Sequence, residues 1–168
     1  MERNTSSEID LESLSQRLIT EEDIPFLRDL YCTSRDYEVL NCGWPEHQLI
    51  PFLQQQFSLQ HKYYFEVYGP EAFNVIEYFG EAVGRLYCEQ SDKDIRLIDI
   101  TLVRELRNSG VGSYLIKRLM QRADDILAKV LLHVLPENPA LNLYLKLGFE
   151  QIGRNGSHLY MEYDPNNS

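Results

Sequence analysis

Arg107-Asn108-Ser109-Gly110-Val111-Gly112 carries the clearest chemistry in this chain. An arginine and two closely spaced glycines stand between an apolar, strand-like run ending at Val103 and an amphipathic helix pattern, an arrangement that builds an anion site. The glycines let backbone N–H groups come close to a phosphate, and a helix beginning near Gly112 adds about half a positive charge at its first turn. Leu115, Ile116, Leu119, Met120, Ala123, Ile126 and Leu127 recur at helical spacing, which gives that helix an inner face. A nucleotide P-loop would need Gly-Lys-Ser or Gly-Lys-Thr, and Gly112 is followed by Ser113 and Tyr114. A dinucleotide fingerprint would need a third glycine where Leu115 stands. The competing plain reading is a surface arginine beside two turn glycines.

These residues need a frame to hold them. At 168 residues the chain suits one domain over 14–164, with a polar N-terminal tail over 1–13 and a short C-terminal tail over 165–168. The start is acidic and lacks the basic flank and apolar run of a secretion signal. No later apolar run is long enough to span a bilayer, so a soluble cytoplasmic protein with no membrane association is expected. Cys32, Cys42 and Cys88 are odd in number and lack metal-type spacing, which argues against a disulfide framework and a zinc site; no metal is expected. A net charge of −10 disfavours nucleic acid as a partner and would draw cationic small molecules or basic peptides. A homodimer is the default assembly.

Local patterns then give the elements. Leu14 to Ile19 reads as a strand, and Thr20-Glu21-Glu22-Asp23 as a capping box opening a helix to about Arg35. Pro45 suits the first position of a second helix reaching His61, with Leu49, Phe52, Leu53 and Phe57 inward. Phe73–Phe79 and Ala82–Glu89 form strands joined tightly at Gly80, and Ile95–Val103 is the strand before the phosphate loop. Val130–Leu135 follows the third helix, then a short helix over Pro139–Leu147 and a hairpin turning at Asn155-Gly156. The class is a mixed α/β sheet domain.

With this element order and the R-x-x-G-x-G loop, nearly the whole chain resembles the GNAT superfamily of N-acetyltransferases. A second motif, Asn138-Pro139-Ala140-Leu141-Asn142-Leu143-Tyr144-Leu145-Lys146-Leu147-Gly148-Phe149, is also similar. The resemblance implies a single-domain α/β fold: a mixed, mostly antiparallel sheet flanked by helices, with its fourth and fifth strands splayed. It implies acetyl-CoA as co-substrate, its pyrophosphate held by Arg107, Asn108, Ser109, Gly110, Val111, Gly112 and Ser113. Main-chain groups near Leu102 and Val103 would pair with the pantetheine arm as an added strand does, and Asn138 would reach the coenzyme. The family's asparagine often stands one residue further from the tyrosine than Asn138 does. Asn138 also suits a helix cap before Pro139. Gly148 and Phe149 read as a helix C-cap with its hydrophobic contact.

Acetyl transfer to an amine needs a neutral amine, stabilisation of the developing oxyanion and a proton for the departing thiolate. An alkylamine with pKa about 10.4 is unprotonated in about one molecule in a thousand at pH 7, so a base or a water chain to one is required. Tyr144 occupies the position of the family's acid, and its helical face with Ala140, Leu143 and Leu147 would equally suit a core residue. The base is His133, the one polar residue in its strand, or Asp99, which shares a strand face with Thr101. Each has a plain alternative: a hydrogen-bonded core histidine, and an aspartate paired with Arg96 or another cation. Trp44, Tyr63 and Tyr64 lie where the family varies to suit its acceptor. The expected function is direct acetyl transfer in a ternary complex to a primary amine, on a small molecule or peptide, with cationic acceptors favoured. The alternatives are a non-catalytic acyl-CoA-binding or sensing module and a nucleotide-binding enzyme, which the missing Gly-Lys-Ser disfavours and which would prefer ATP to coenzyme A.

Overall fold

A computed structural model of the chain describes residues 8–35 and 41–167. Its strands are β1 (Leu14–Leu18), β2 (Phe73–Tyr78), β3 (Glu81–Gln90), β4 (Asp94–Leu102), β5 (Lys129–Val134), β6 (Glu150–Asn155) and β7 (His158–Tyr163). Its helices are α1 (Ile24–Ser34), α2 (Glu46–Tyr68), α3 (Val111–Ile126) and α4 (Ala140–Lys146). The strands form one mixed sheet in the order β1-β2-β3-β4-β5-β7-β6. Among the described residues only β4 and β5 are parallel, and every other neighbouring pair is antiparallel.

Strand alternation divides the core between the two faces of the sheet. Val75, Phe73 and Tyr87 point to one face and meet Leu27 and Tyr31 of α1 and Phe57, Tyr64 and Phe65 of α2. Ile76, Leu86, Ile95 and Leu97 point to the other and meet Val111, Leu115, Ile116, Leu119 and Ala123 of α3 with Tyr144 of α4. The larger core therefore lies under α3, the helix that follows the R-x-x-G-x-G loop.

Several expectations are adjusted by packing. The capping box forms, with the Thr20 N–H donating to Asp23 Oδ2 at 2.7 Å, but it closes a single 3-10 turn and α1 starts at Ile24. Buried Asp23 also accepts both guanidinium donors of Arg17, each at 2.8 Å. Helix α2 runs seven residues past His61, because its last turns carry Tyr64, Phe65 and Tyr68 onto Phe73 and Tyr87. Phe52 is exposed and packs edge-on against Trp44, not inward. Ile126 and Leu127 are also exposed, since α3 ends there with Leu127 in the left-handed region at φ 54°. The last hairpin turns on Gly156-Ser157, with Asn155 paired to His158, one residue beyond the expected position. Ile9 and Leu11 pack against the α3-side core, so the residues just before β1 are docked on the domain.

Candidate active site

The R-x-x-G-x-G loop follows the end of β4. A 3-10 turn over Arg104–Leu106 reverses the chain, with the Leu106 N–H donating to the Val103 carbonyl at 3.1 Å. Asn108 and Gly110 both take positive φ, 55° and 90°, and aim the following amides across the turn. The first α-helical bond is from the Tyr114 N–H to the Gly110 carbonyl, so the N–H groups of Val111, Gly112 and Ser113 have no helical acceptor. Fully buried Val111 anchors this turn in the core.

The cradle is open. A Cβ built on Gly110 would meet nothing within 4 Å, and one on Gly112 would meet only Leu102 Cδ1, at 3.9 Å. Arg107 folds back beneath the loop, its Nε donating to the Leu102 carbonyl at 3.1 Å and its buried Nη2 without a partner. The Ser109 hydroxyl donates to the Leu106 carbonyl and braces the same turn. Free helical amides, an unsatisfied guanidinium donor and open space over both glycines together suit a phosphate-bearing ligand.

Beside the cradle the sheet opens. Strands β4 and β5 pair only from Asp94 opposite Lys129 to Leu97 opposite Leu132. At the next residue, Ile98, a bulge shifts the β3–β4 register, so that Tyr87 faces Asp99 while Cys88 faces Leu97. A bulge bends its strand and increases local twist, and here it carries the C-terminal half of β4 away from β5. It also reverses side-chain parity: Ile100 and Leu102 join Ile95 and Leu97 on the α3 face, and Asp99 and Thr101 turn to the α1–α2 face. The Val103 N–H donates to the Val83 carbonyl, so by antiparallel alternation the backbone groups of Ile100 and Leu102 face the gap. Val103 has both its main-chain groups engaged, by Val83 and Leu106, which leaves Leu102 as the member of the expected pair on the open edge.

Asp99 stands on the α1–α2 face of β4, and Tyr144 in the α3-side core. Asp99 Oδ2 accepts from Arg85 Nε at 2.6 Å and from the Thr101 hydroxyl at 2.9 Å, while no described residue hydrogen-bonds Oδ1. Its partner is thus Arg85 and not Arg96. Tyr144 is buried on α4 against Phe149, with no described residue bonding its hydroxyl. Burial first, then the charge of Asp99, pushes its phenol well above the ordinary tyrosine range. His133 stands on the sheet face opposite the α3-side core, by alternation with Leu132 and Val134. It is exposed on β5 and stacked on Tyr160 at 4.6 Å, and its pKa is lowered by partial burial and then by the charges of Arg96 and His158. Asn138 caps α4, its side-chain oxygen accepting from the Ala140 N–H at 2.9 Å. Gly148, at φ 97°, ends the same helix, and Phe149 closes over Tyr144.

Residues 29–149 match the family model described as the Acetyltransferase (GNAT) family. The chain belongs to the GNAT acetyltransferase family. No curated protein shows significant similarity to the sequence. The GNAT fold is shared with the PaiA N-acetyltransferase of Thermoplasma acidophilum in complex with coenzyme A, at TM-score 0.68 and 18% identity over 90% of this chain and 99% of that one. It is shared with a histone acetyltransferase HPA2-related acetyltransferase of Corynebacterium glutamicum, at 0.62 and 22% over 91% and 97%. Naa50 of Arabidopsis thaliana, bound to the bisubstrate analogue CoA-Ac-MVNAL, aligns at 0.55 and 17% over 89% and 97%.

On this GNAT scaffold the α1–α2 face carries groups that sequence reasoning passed over. Around Arg85, the partner of Asp99, stand Gln60, His61, Tyr87 and Tyr31, joined by Tyr64, which the sequence had already marked on the acceptor side. Burial, then the charge of Asp99, pushes the Tyr64 phenol up to about 12. Burial, then Arg85, lowers His61. The one available signal was Arg85 itself, a cation inside the apolar run Ala82–Cys88, where a buried charge requires a counter-ion. None of the three cysteines forms a disulfide; burial pushes the Cys88 thiol up to about 12, and Cys42 is exposed. No group of three or more His, Cys, Asp or Glu among the described residues could hold a metal ion.

Proposed function

We propose that this GNAT protein is an acetyl-CoA-dependent N-acetyltransferase that moves an acetyl group to a primary amine by direct transfer in a ternary complex. The observation that carries this reading is the open N-terminus of α3, whose first amides lack helical acceptors, beside the point where β4 and β5 part. In this reading the amides of Val111, Gly112 and Ser113 and the Nη2 of Arg107 hold the pyrophosphate, within a wall formed by Asn108, Ser109 and Gly110. Leu102 offers its N–H to the pantetheine arm, and Asn138 borders the coenzyme from the start of α4. Bound there, acetyl-CoA supplies an activated acetyl carbon with a thiolate leaving group.

The protein's own groups handle the protons. Tyr144 stays protonated at neutral pH because burial and Asp99 disfavour its phenolate, so it is the donor to the departing sulfur. Asp99 Oδ1 takes the proton that the attacking amine must lose, directly or through water. The Arg85–Asp99 pair is oriented to suit such an acceptor: the guanidinium side chain is 4% exposed and the carboxylate 27%, so the negative end faces outward. That orientation favours an amine carrying positive charge, on a small molecule or a peptide. His133, neutral at pH 7 by the direction of its shift, is the second base candidate.

The test is a screen of amines and peptide N-termini with purified protein and acetyl-CoA, following thiol release and product mass. An acetylated amine, lost in the D99N variant and retained in H133A, is the expected result. Calorimetric coenzyme A binding with no acetylated product from any acceptor would favour a sensing module. Absence of coenzyme A binding would overturn both readings.

A further inference from the structure

Among the described residues, Asp23 and Arg85 alone combine full charge with burial. Asp23 is accounted for by its cap and its Arg17 fork. Arg85 has no comparable task in folding, because an apolar side chain of its volume would fill the same space without removing a cation from water. Its donors are instead directed toward the site. Nε points to Asp99 Oδ2 at 2.6 Å, and Nη2 points to Gln60 Oε1 of α2 at 3.1 Å. The guanidinium carbon lies 4.8 Å from the centre of the Tyr87 ring and 5.9 Å from that of Tyr31. The plane of the group is therefore fixed from β3, α1 and α2 together.

We propose that Arg85 is a positioning residue for the transfer reaction: by holding Asp99 Oδ2 in a fork anchored on Gln60, it keeps Oδ1 turned to the acceptor side of the gap. This rests on the reading of Asp99 as the base. A lysine would not replace it, because a single ammonium cannot present two divergent donors in one plane. Without the fork, Asp99 would keep only the Thr101 hydroxyl and would rotate toward water.

The test uses the full chain, with the amine that gives product, in the variants R85M, R85K, R85A, D99N and R85M/D99N. We expect R85M to bind coenzyme A within about twofold of wild type and to lower kcat at least about tenfold, with KM for acetyl-CoA little changed, as misplacement of a catalytic group does. R85K recovers little of this loss, and methylguanidinium in solution restores part of the R85A rate. R85M/D99N is no slower than D99N, because Arg85 acts only through that carboxylate. Equal factors of loss in the wild-type and D99N backgrounds, or a fall in coenzyme A affinity matching the fall in kcat, would show a purely structural arginine and overturn the proposal. A D99N variant with full turnover would sink the base assignment itself. A slow D99N beside a fast R85M would sink only the role of Arg85. One readout needs no acceptor: the Arg85 Nε–H should give a slowly exchanging NMR signal that D99N abolishes, and its absence from the wild type would also overturn the proposal.

Discussion

Gly84 lies on β3 opposite Leu102, and replacing it by alanine tests whether the end of β4 must stay where it is. A Cβ at this position would stand 2.6 Å from the Thr101 carbonyl oxygen, 2.9 Å from Leu102 Cδ2 and 3.3 Å from Ile76 Cδ1. The Leu102 and Ile76 side chains can yield by small rotations, but the carbonyl is backbone. Its contact must open from 2.6 Å to at least 3.4 Å, so β3 and β4 have to part at this point. Overpacking of this kind costs about 1–3 kcal/mol. For a chain of this size each kcal/mol lowers Tm by about 2–4 °C, which calorimetry or circular dichroism resolves. The functional loss should exceed the loss of stability, because the displaced segment carries both Leu102, on the open edge, and Thr101, which bonds Asp99. A shift approaching an ångström at such groups costs on the order of a hundredfold in rate. Turnover measured well below the lowered Tm separates the two effects. A G84A protein with unchanged Tm and unchanged kcat/KM for acetyl-CoA would refute the reasoning and place the β4 end elsewhere in solution.

Other substitutions probe the remaining parts. Y144F should lower kcat by about 10²-fold or more while coenzyme A affinity stays within about twofold, since the hydroxyl serves no described hydrogen bond; stopped-flow turnover and calorimetry separate the two quantities. G110A forces a side chain into φ 90° and should cost about 1–2 kcal/mol in urea unfolding, with weaker coenzyme A binding as the free amides turn away. Arg17, by hydrogen bonds, holds Asp23 down at about 2, below its ordinary 3.8. A depressed carboxyl stabilises the fold above the ordinary value and loses that contribution as pH falls through the folded one. The urea midpoint of the wild type should therefore drop between about pH 4 and pH 2, and D23N should start lower at pH 7 and show a shallower drop in that window.

Much of the architecture is legible in the chain because local energetics dictate it. The tight β2–β3 turn at Phe79-Gly80, the Asn138 cap, the Gly148 stop and the R-x-x-G-x-G loop each depend on a few consecutive residues, and each forms near its expected position. Errors gather where a residue's environment is set by distant segments. Phe52 has the spacing of an inner residue and is exposed, and Leu127 continues the apolar stripe of α3 past the sheet that would cover it. Helix α2 reaches Tyr68 because Phe73 and Tyr87 wait beneath its last turns.

The candidate site divides along the same line. Sequence alone determined the R-x-x-G-x-G turn and which residue types could hold or release a proton, since residue type and short spacing fix what a turn and a side chain can do. It also put Asp99 and Thr101 on one face, which holds because they are two residues apart on a strand. Which face that is, and which partner Asp99 meets, depended on the extra residue at Ile98 and on β3 lying alongside to bring up Arg85, fourteen positions away in the chain. A bulge is selected by how two strands and the helices above them pack, so only the assembled sheet decides it. The same event parts β4 from β5, and the opening beside the R-x-x-G-x-G loop is therefore a property of the tertiary structure, not of either strand's own sequence.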